Sequence, residues 1–447
     1  MNRRELVREI SRRLSGRRLV WAGVRGDDAE PLTDIPEFDS SFTIIGSYEH
    51  RSSITSLAYE DLSGRRVDLE TWDIDEHPDD EATQTFRRAL LRRLAAPTAL
   101  LTYRPSRFLS AIWFARRETC SSLGMFGGHQ QAFEHKPWVE TELTAAGVPT
   151  IPWTYVADED QLRATPMMAD GPIILRRSRT SGGEGIVRVD TQEELSEQWL
   201  ASEERFVSVA PFLAGGIPVN IGGTVWADGV TVHYPSVQLI GIPELGRRTF
   251  GYCGNDFGAV RSLGPEIVNQ LEVETRAVGR WLATKGYRGT FGIDFLIQEG
   301  RPLFTEVNPR FQGSTHLSSR ISAERGEACL MLEHIAALLG VAAPTQPPLR
   351  SRVTELPSLS NVVIHSLFTE PQRIDPSEPV RQLARDPRVV SSDVATREEI
   401  LTDPGAVVLR FTAAESVTET GFELRAPWRS LLEASGLTAH AGAVRTT

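Results

Sequence analysis

The feature that most constrains this chain is a pair of adjoining strand-like segments, GTFGIDFLIQ and RPLFTEVNPR, that carry acidic residues at matching positions. Both alternate apolar and polar residues, which is typical of β-strands with one buried face. If they form a hairpin joined by about five residues, Ile297 faces Leu303 and Asp294 lies opposite Glu306. The two acidic Cβ atoms would then be about 5 Å apart, and Asn308 would share their face of the sheet.

Two like charges that face each other destabilise a sheet unless something compensates them. A hard divalent cation does so, because two carboxylates and an amide oxygen suit Mg²⁺ or Mn²⁺. Asp294, Glu306 and Asn308 are therefore predicted metal ligands, and Arg310 is placed to contact bound phosphates or a substrate carboxylate. The alternative is a solvated strand face whose acids pair with nearby arginines.

A glycine-rich turn, TSGGEG, lies between two further strand-like segments, PIILRR and IVRVD. Stacked backbone N–H groups in such a turn can bind phosphate, and hydroxyl groups can add to the site. A strand follows the turn rather than a helix, so it is not a Walker A loop. An ordinary hairpin turn is the alternative. The candidate phosphate contacts in this turn are Ser181, Gly182, Gly183 and Gly185.

Two basic residues near this turn are further candidates. Only two of the 48 basic residues are lysines, so Lys136, which begins the predicted helix KPWVETELTAAG, is a candidate functional residue. A surface lysine is the alternative. Arg176 ends the strand that precedes the glycine turn. The later segment VAPFLAGG is predicted to be a hinge whose backbone could bind an adenine edge.

The rest of the chain predicts several domains. In residues 1–125, SFTIIGS, TQTFRRALLRRLA and PTALLTYRP alternate strand and helix, which favours a βαβ-type domain with parallel strands. ISAERGEACLMLEHIAALLG predicts one helix. Residues 350–447 follow a proline-containing linker, hold the strand candidates NVVIHSLF and AVVLRFTA, and show no motif. The length and these patterns predict an α/β and α+β multidomain chain.

Composition excludes several classes of protein. The net charge of -11 argues against a nucleic-acid-binding surface. The three cysteines are far apart and odd in number, which favours a reducing cytoplasm over a disulfide framework. The N-terminal segment MNRRELVREI has no apolar core of a secretory signal. The most apolar segment, CLMLEHIAALLGVAA, is too short to span a membrane.

The order of these motifs resembles the ATP-grasp superfamily of carboxylate–amine ligases over about residues 126–340, and FTEVNPRFQGS is the most specific element. The layout is also similar to that of the pheganomycin-type peptide ligases, which join an amino-acid-like acid to a peptide amine. The resemblance implies an N-terminal α/β domain over 1–125, a small ATP-grasp subdomain with a lid over 126–210, a large subdomain with the Mg²⁺ and ATP site over 211–342, and a C-terminal extension over 350–447.

The resemblance also implies roles for individual residues. The chain departs from the family at two positions. Arg176 stands where the family usually has lysine. Ala210 stands where the hinge usually begins with an acidic residue, so the resemblance implies no ribose contacts. The implied set comprises the magnesium ligands Asp294, Glu306 and Asn308, the ATP-phosphate contacts Lys136 and Arg176, the lid from Ser181 to Gly185, the adenine neighbours Phe212 and Leu213, and the catalytic contact Arg310.

By this resemblance the chain is an enzyme of antibiotic biosynthesis that uses ATP and Mg²⁺ (or Mn²⁺) to join a small-molecule carboxylate to an amine or peptide. A homodimer is also expected from the family. The loop RRTFGYCGNDFGA is a candidate substrate loop, with a plain connecting loop as the alternative. The predicted substrate contacts are Arg248, Asn255 and Asp256 of this loop and Ser314.

Other functions stay open at this point. One is a ligase whose acceptor is a single amino acid or a carrier protein, and another is a non-catalytic ATP-binding regulator. A dinucleotide oxidoreductase built on IIGS is a third, although this segment lacks a full G-x-G-x-x-G. Thiol catalysis by Cys253 is rejected because the sequence places no base beside it.

Overall fold

The computed structural model describes residues 2–46, 55–124, 130–179, 182–393 and 399–436. The strands are β1 Arg18–Arg25, β2 Phe38–Ile45, β3 Thr55–Ala58, β4 Arg65–Arg66, β5 Thr98–Thr102, β6 Cys120–Leu123, β7 Thr154–Ala157, β8 Ile173–Arg176, β9 Ile186–Val189, β10 Phe206–Pro211, β11 Ile217–Val225, β12 Val230–Val232, β13 Ser236–Ile240, β14 Tyr252–Asp256, β15 Gly289–Gln298, β16 Arg301–Asn308, β17 Ser360–His365, β18 Gln372–Ile374, β19 Val389–Asp393, β20 Ile400–Thr402 and β21 Val407–Ala413.

Thirteen α-helices lie in the described residues. They are α1 Arg3–Leu14, α2 Tyr59–Ser63, α3 Glu81–Arg93, α4 Arg107–Arg116, α5 Gln130–Phe133, α6 Lys136–Ala145, α7 Gln192–Glu197, α8 Pro265–Thr284, α9 Thr315–Glu324, α10 Leu330–Leu338, α11 Leu349–Val353, α12 Ser377–Leu383 and α13 Ala426–Ala434. None of the helices in the described ranges has both the length and the apolar character needed to cross a lipid bilayer.

The N-terminal strands form a parallel sheet in the order β3-β2-β1-β5-β6. This confirms the parallel βαβ arrangement predicted from the alternation of strands and helices. Helix α3 buries Phe86 and Leu90 on one side of the sheet, and α1 buries Leu6 and Ile10 in the cluster on the other. The segment IIGS ends β2, and its Ser47 lies outside the described residues.

The large sheet is antiparallel and runs β16-β15-β11-β13-β14-β17-β21-β19, with β12 paired to β11. Its last three strands come from the C-terminal part of the chain, for which the sequence showed no role. Strand β14 pairs with β17, so this part extends the sheet that starts with the acidic hairpin. A separate antiparallel sheet, β7-β10-β8-β9, carries the glycine turn between β8 and β9.

Helix α8 covers one face of the large sheet. Its buried residues Val268, Leu271, Thr275, Val278 and Leu282 recur every three or four positions, which places them on one side of the helix. They pack in the cluster that contains the inward side chains of β15 and β16. The polar residues at alternate positions of these strands therefore point to the opposite face.

The register of the acidic hairpin differs from the prediction at its turn and agrees with it at the acids. The strands are joined by a two-residue turn, Glu299 and Gly300, which both have positive φ, as a type I′ turn requires. This turn pairs Ile297 with Pro302 rather than with Leu303. A β-bulge at Thr305 then shifts the register by one residue and restores the predicted pairing further along the hairpin.

The predicted helix ISAERGEACLMLEHIAALLG is wrong as a single helix. It divides into α9 and α10, and Gly326 between them has a φ of +66°, which no residue inside a right-handed helix adopts. Helix α9 therefore ends at its C-cap residue, Arg325, and α10 begins after its N-cap residue, Cys329.

The N-terminal and C-terminal parts of the chain are directly joined. Strand β4 pairs with β20, and Arg66 donates to the carbonyl of Val408 at 2.9 Å. A buried ion pair links Arg410 to Asp27 at 3.4 Å. A buried charge pair of this kind fixes the relative position of the two elements that carry it, because leaving either charge alone is costly.

Gly254 allows β14 to pair with β17, and we expect its replacement by alanine to destabilise the protein strongly. Its φ is +132°, and a Cβ there would lie 2.0 Å from the carbonyl oxygen of Asn361. We expect Gly254→Ala to lower the free energy of unfolding by about 3 kcal/mol or more. Gly147→Ala is the matched control, because Gly147 also has positive φ but nothing within 4 Å of the added atom. Urea unfolding should show a loss of only about 1 kcal/mol for the control; equal losses would contradict the argument.

Candidate active site

Asp294 lies at the centre of a polar face on the large sheet, between two strand partners. In the register of the sheet it faces Glu306 on β16 and Asn220 on β11. The amide nitrogen of Asn220 donates to its Oδ1 atom at 2.7 Å, and that of Gln238 at 3.2 Å. The predicted pairing of Asp294 with Glu306 is therefore confirmed.

Amide and hydroxyl groups hold this face in one arrangement. Asn220 also donates to Gln312 Oε1 at 2.8 Å and accepts from the Ser314 hydroxyl at 2.6 Å. A Cβ at Gly292 would lie 1.7 Å from Gln312 Oε1, so only glycine leaves room for this amide beside β15. Sequence reasoning missed Asn220, Gln238 and Gln312, although an asparagine inside the apolar strand IPVNIGGTV is a signal that could have identified the first of them.

The electrostatics of this face suit a cation. Burial and the neighbouring Glu306 carboxylate raise the pKa of Asp294, while hydrogen bonds from Asn220 and Gln312 oppose the rise. Asn308 lies next along the face, with its amide nitrogen 3.5 Å from Asp294 Oδ2. Two facing carboxylates and an amide form an oxygen donor set that fits Mg²⁺ or Mn²⁺. Within the described residues no group of three or more His, Cys, Asp or Glu side chains forms an alternative metal site.

Two basic residues reach the same face from other elements. Lys136, at the start of α6, is buried and places its Nζ atom 3.3 Å from Glu306 Oε2. The guanidinium of Arg310 lies 6.0 Å from the ring centroid of Tyr103 in the loop after β5. Burial works against the charge of Arg310, but nearby acidic groups, among them Tyr103 and Glu306, raise its pKa. Arg310 is therefore a cation near the acids, and Lys136 reaches them through its ion pair with Glu306.

Arg176 is held more rigidly than a lysine at this position could be. It forms a buried ion pair with Glu140 and donates to the carbonyl of the bulge residue Thr305 at 3.2 Å. Its guanidinium also stacks 3.9 Å from the ring centroid of Trp153. Burial raises the pKa of Glu140, and the adjoining guanidinium opposes the rise. The Nε atom of Arg176 is buried without a hydrogen-bond partner in the described part of the chain.

The glycine turn lies against other parts of the chain. Gly182, Gly183 and Gly185 all have positive φ. A Cβ would lie 2.2 Å from the Glu70 carboxyl carbon at Gly182, and 2.3 Å from the Phe250 carbonyl oxygen at Gly183. These positions therefore require glycine for both conformation and space. Ser181 lies outside the described residues.

Arg248 lines a cavity that adjoins the cleft around Asp294 and shares Glu70, Gly182 and Tyr252 with it, and its predicted role as a substrate contact stays a prediction. It forms an ion pair with Asp68 of the N-terminal part and another with Glu184 of the glycine turn at 2.8 Å. These two carboxylates raise its pKa against the effect of burial. Arg248 thus ties the glycine turn to the N-terminal part of the chain.

Asn255 lines the cleft, whereas Asp256 does not, and both stay predicted substrate contacts. Asn255 accepts from the Tyr252 hydroxyl and donates to Ser236 at 2.9 Å. Asp256 is fully buried, and its carboxylate accepts hydrogen bonds from the backbone of Ala259 and from residues 416–418. It therefore anchors the C-terminal segment.

The remaining candidate residues are Phe212 and Leu213 of the predicted hinge, and Cys253. The backbone N–H of Phe212 donates to the Pro172 carbonyl at 2.8 Å, and Phe212 and Leu213 do not line the cleft. The Phe212 amide is thus already bonded within the protein, and the adenine contact of Phe212 and Leu213 stays a prediction. Burial raises the pKa of Cys253 to about 11, which agrees with the rejection of thiol catalysis.

The cleft that joins these side chains encloses about 1030 Å³, including its part open to solvent. Lys136, Arg176, Asp294, Glu306, Asn308, Arg310, Ser314, Gly182 and Gly183 all line it. The structure thus brings together most of the predicted site residues. The N-terminal residues Arg25, Glu70 and Tyr103 also line it, and the sequence contained no motif that identified them.

The region that builds this site is similar in sequence to known proteins. A family model described as an ATP-grasp domain matches residues 135–314. The formate-dependent phosphoribosylglycinamide formyltransferase of Nitratidesulfovibrio vulgaris is 26% identical over 211 residues, which cover 44% of this chain and 48% of that protein. The chain spans about half the length of the curated relatives it matches.

Two solved carboxylase structures share the fold. A biotin carboxylase from Campylobacter jejuni in a β-γ-ATP complex has a TM-score of 0.59 at 13% identity, covering 89% of this chain and 87% of that one. The biotin carboxylase domain of Hydrogenobacter thermophilus 2-oxoglutarate carboxylase was solved with MgADP, ADP and bicarbonate. It has a TM-score of 0.57 at 13% identity, covering 89% of this chain and 86% of that one. The chain therefore has the predicted mixed α/β multidomain fold, shared with these structures, and its residues 135–314 match the ATP-grasp family model. The likeness to peptide ligases stays a prediction.

We expect the Arg248 ion pairs to hold the glycine turn in place, which limited proteolysis can measure. Trypsin cleaves after arginine, and Arg177 and Arg179 beside the turn are exposed. Arg248→Met removes the charge and keeps a long side chain, so cleavage at these two sites should become several-fold faster, because the freed turn opens more often. Mass spectrometry of the fragments identifies the sites.

Arg12→Met is the matched control, because Arg12 pairs only with a neighbour on the exposed face of α1, Glu9. This change should leave the rate of cleavage at the glycine turn unaltered. Equal rates for the two variants would show that the Arg248 pairs do not restrain the turn.

Proposed function

We propose that this chain is an ATP-dependent ligase that activates a substrate carboxylate as an acyl phosphate and joins it to an amine. The observation that carries the proposal is the single cleft in which Asp294, Glu306 and Asn308 lie beside Lys136 and Arg310. This arrangement combines an oxygen set for a divalent cation with cations that can face phosphate. Relatives and structural neighbours that act with or bind adenine nucleotides support the same reading.

Each residue would act through charge and position. Asp294, Glu306 and Asn308 would hold Mg²⁺, which when bound neutralises charge on the ATP phosphates. Lys136 and Arg176 would contact these phosphates, and the glycine turn would cover them and exclude water. Arg310 would face the phosphoryl group during transfer, where its cationic side chain offsets the developing negative charge.

The chemistry then needs two displacements. A carboxylate oxygen attacks the γ-phosphorus of ATP, the bond from that phosphorus to the bridging oxygen breaks, and ADP leaves. The amine next attacks the acyl carbon, inorganic phosphate leaves with the former carboxylate oxygen, and the nitrogen loses a proton to solvent. We further propose that the acid is amino-acid-like and the acceptor a peptide, as in antibiotic biosynthesis, with a single amino acid or a carrier protein as the alternative acceptor.

ADP release in the presence of Mg²⁺ and ATP, measured with panels of acids and amines, tests this proposal. We expect ADP and an amide product in equal amounts, with the product identified by mass spectrometry. Glu306→Gln should lower the rate roughly hundredfold or more, because it removes one of the two facing charges while keeping the size of the side chain.

Glu299→Gln is the matched control, since it makes the same chemical change at the exposed turn of the same hairpin. It should leave ADP release unchanged. ATP binding without ADP release for every acid and amine pair would favour a non-catalytic ATP-binding regulator, and full activity of Glu306→Gln would refute the assigned role of the acids.

A further inference from the structure

A second cavity adjoins the cleft inside the N-terminal sheet domain. It encloses about 880 Å³, including its open part, which is within the usual size range of small-molecule pockets. It lies where the loops after β1 and β5 meet, and the strand order reverses at this point because β2 and β3 lie on one side of β1 and β5 and β6 on the other. Crevices at the carboxyl ends of parallel strands, at such a reversal, are common ligand sites.

One wall of this cavity is apolar and largely aromatic. Phe42, Phe86 and Phe108 are buried and pack edge to face or tilted, with ring centroids 5.8 and 6.0 Å apart. Leu69 and Leu109 are half-buried and line the same space. We call this cavity the aromatic pocket. Its apolar wall offers a preformed surface for a large apolar group.

The other end of the cavity carries three arginines and two acidic residues, Glu70 and Asp73, so arginine is in excess there. Arg25, Arg104 and Arg310 line it, and Arg104 is paired with Asp73 at 2.8 Å. The Nη1 atom of Arg25 is buried and has no hydrogen-bond partner among the residues that the structure describes. A buried guanidinium donor without a partner is costly, and a carboxylate is the group that best satisfies it.

The aromatic pocket and the cleft share their boundary. Arg25, Glu70, Tyr103 and Arg310 line both cavities. A molecule whose carboxylate lies between Arg25 and Arg310 can therefore place its side chain in the aromatic pocket and its reactive oxygen in the cleft. An acid with a small side chain would contact the arginines but not the apolar wall of the pocket.

We infer that the aromatic pocket binds the side chain of the carboxylate substrate and selects acids with a bulky apolar or aromatic side chain. This inference rests on the proposed ligase function, since it names the acid that the same site would activate. It makes Leu69 a specificity residue and Arg25 a binding residue for the acid.

Binding and turnover of four amino acids test the inference separately from the proposed function. L-Alanine, L-leucine, L-phenylalanine and L-tryptophan are titrated by calorimetry into the full chain with Mg²⁺ and a non-hydrolysable ATP analogue, and ADP release is measured with the same acids and a panel of amines. Phenylalanine or tryptophan should bind at least about tenfold more tightly than alanine, because each additional apolar group is removed from water. Arg25→Met should weaken the binding of all four acids.

Leu69→Asn makes the pocket wall polar and should lower the phenylalanine-to-alanine affinity ratio at least fivefold. Leu162→Asn is the matched control, because Leu162 is 67% exposed and lies outside both cavities. It should keep the wild-type ratio. Binding of the ATP analogue to each variant shows that the variant is folded.

The outcomes separate the two proposals. Equal or tighter binding of alanine, no binding of any of the four acids, or an unchanged ratio in Leu69→Asn would overturn the pocket assignment. ADP release with alanine would in that case still support the ligase. Tight and selective binding of the bulky acids without ADP release would support the pocket and count against the ligase.

Discussion

The candidate site depends on two carboxylates placed opposite each other on neighbouring strands. Asp294 and Glu306 can face each other only because a bulge at Thr305 corrects the register that the two-residue turn imposes. The bulge also frees the Thr305 carbonyl from regular pairing, and Arg176 binds that carbonyl at 3.2 Å. One local irregularity therefore positions both the acids and a neighbouring cation, as bulges beside active sites commonly do.

Other contacts of the sheet offset the electrostatic repulsion between the two facing carboxylates. On one face, α8 and the apolar residues of β15 and β16 form a continuous core, which fixes the strands. On the other face, the amides of Asn220, Gln238 and Gln312 donate to Asp294. These neutral donors favour the ionised carboxylate only in part, since burial and Glu306 still raise its pKa. Lys136, whose Nζ atom lies 3.3 Å from Glu306 Oε2, and Arg310 offset part of this charge, and the oxygen atoms of the acids stay arranged for a metal cation.

Sequence reasoning predicted the elements of this site better than its surroundings. Alternation of apolar and polar residues correctly placed Asp294 and Glu306 on one face, because the side-chain period is a local property, whereas their direct pairing also depends on the bulge. The same reasoning paired Ile297 with Leu303, whereas the structure pairs Ile297 with Pro302, since neither the tight turn nor the bulge that follows leaves a clear periodic signal. Arg25 and Glu70 were missed for another reason: their contacts with the cleft arise from the packing of distant parts of the chain, which spacing within one segment does not reveal.

The C-terminal segment is part of the scaffold of the site, although its sequence carries no motif. Its strand β17 pairs with β14, which carries Asn255 into the cleft, and Asp256 at the end of β14 accepts hydrogen bonds from the backbone of residues 417 and 418 and from the Ser416 hydroxyl. The buried pair between Arg410 and Asp27 then links the same segment to the N-terminal sheet. Since the aromatic pocket belongs to that sheet and the acids belong to the large one, the C-terminal segment helps to set their separation, together with the core that α1 and β1 share with α10. A substrate that spans the two cavities would therefore depend on contacts made far from either.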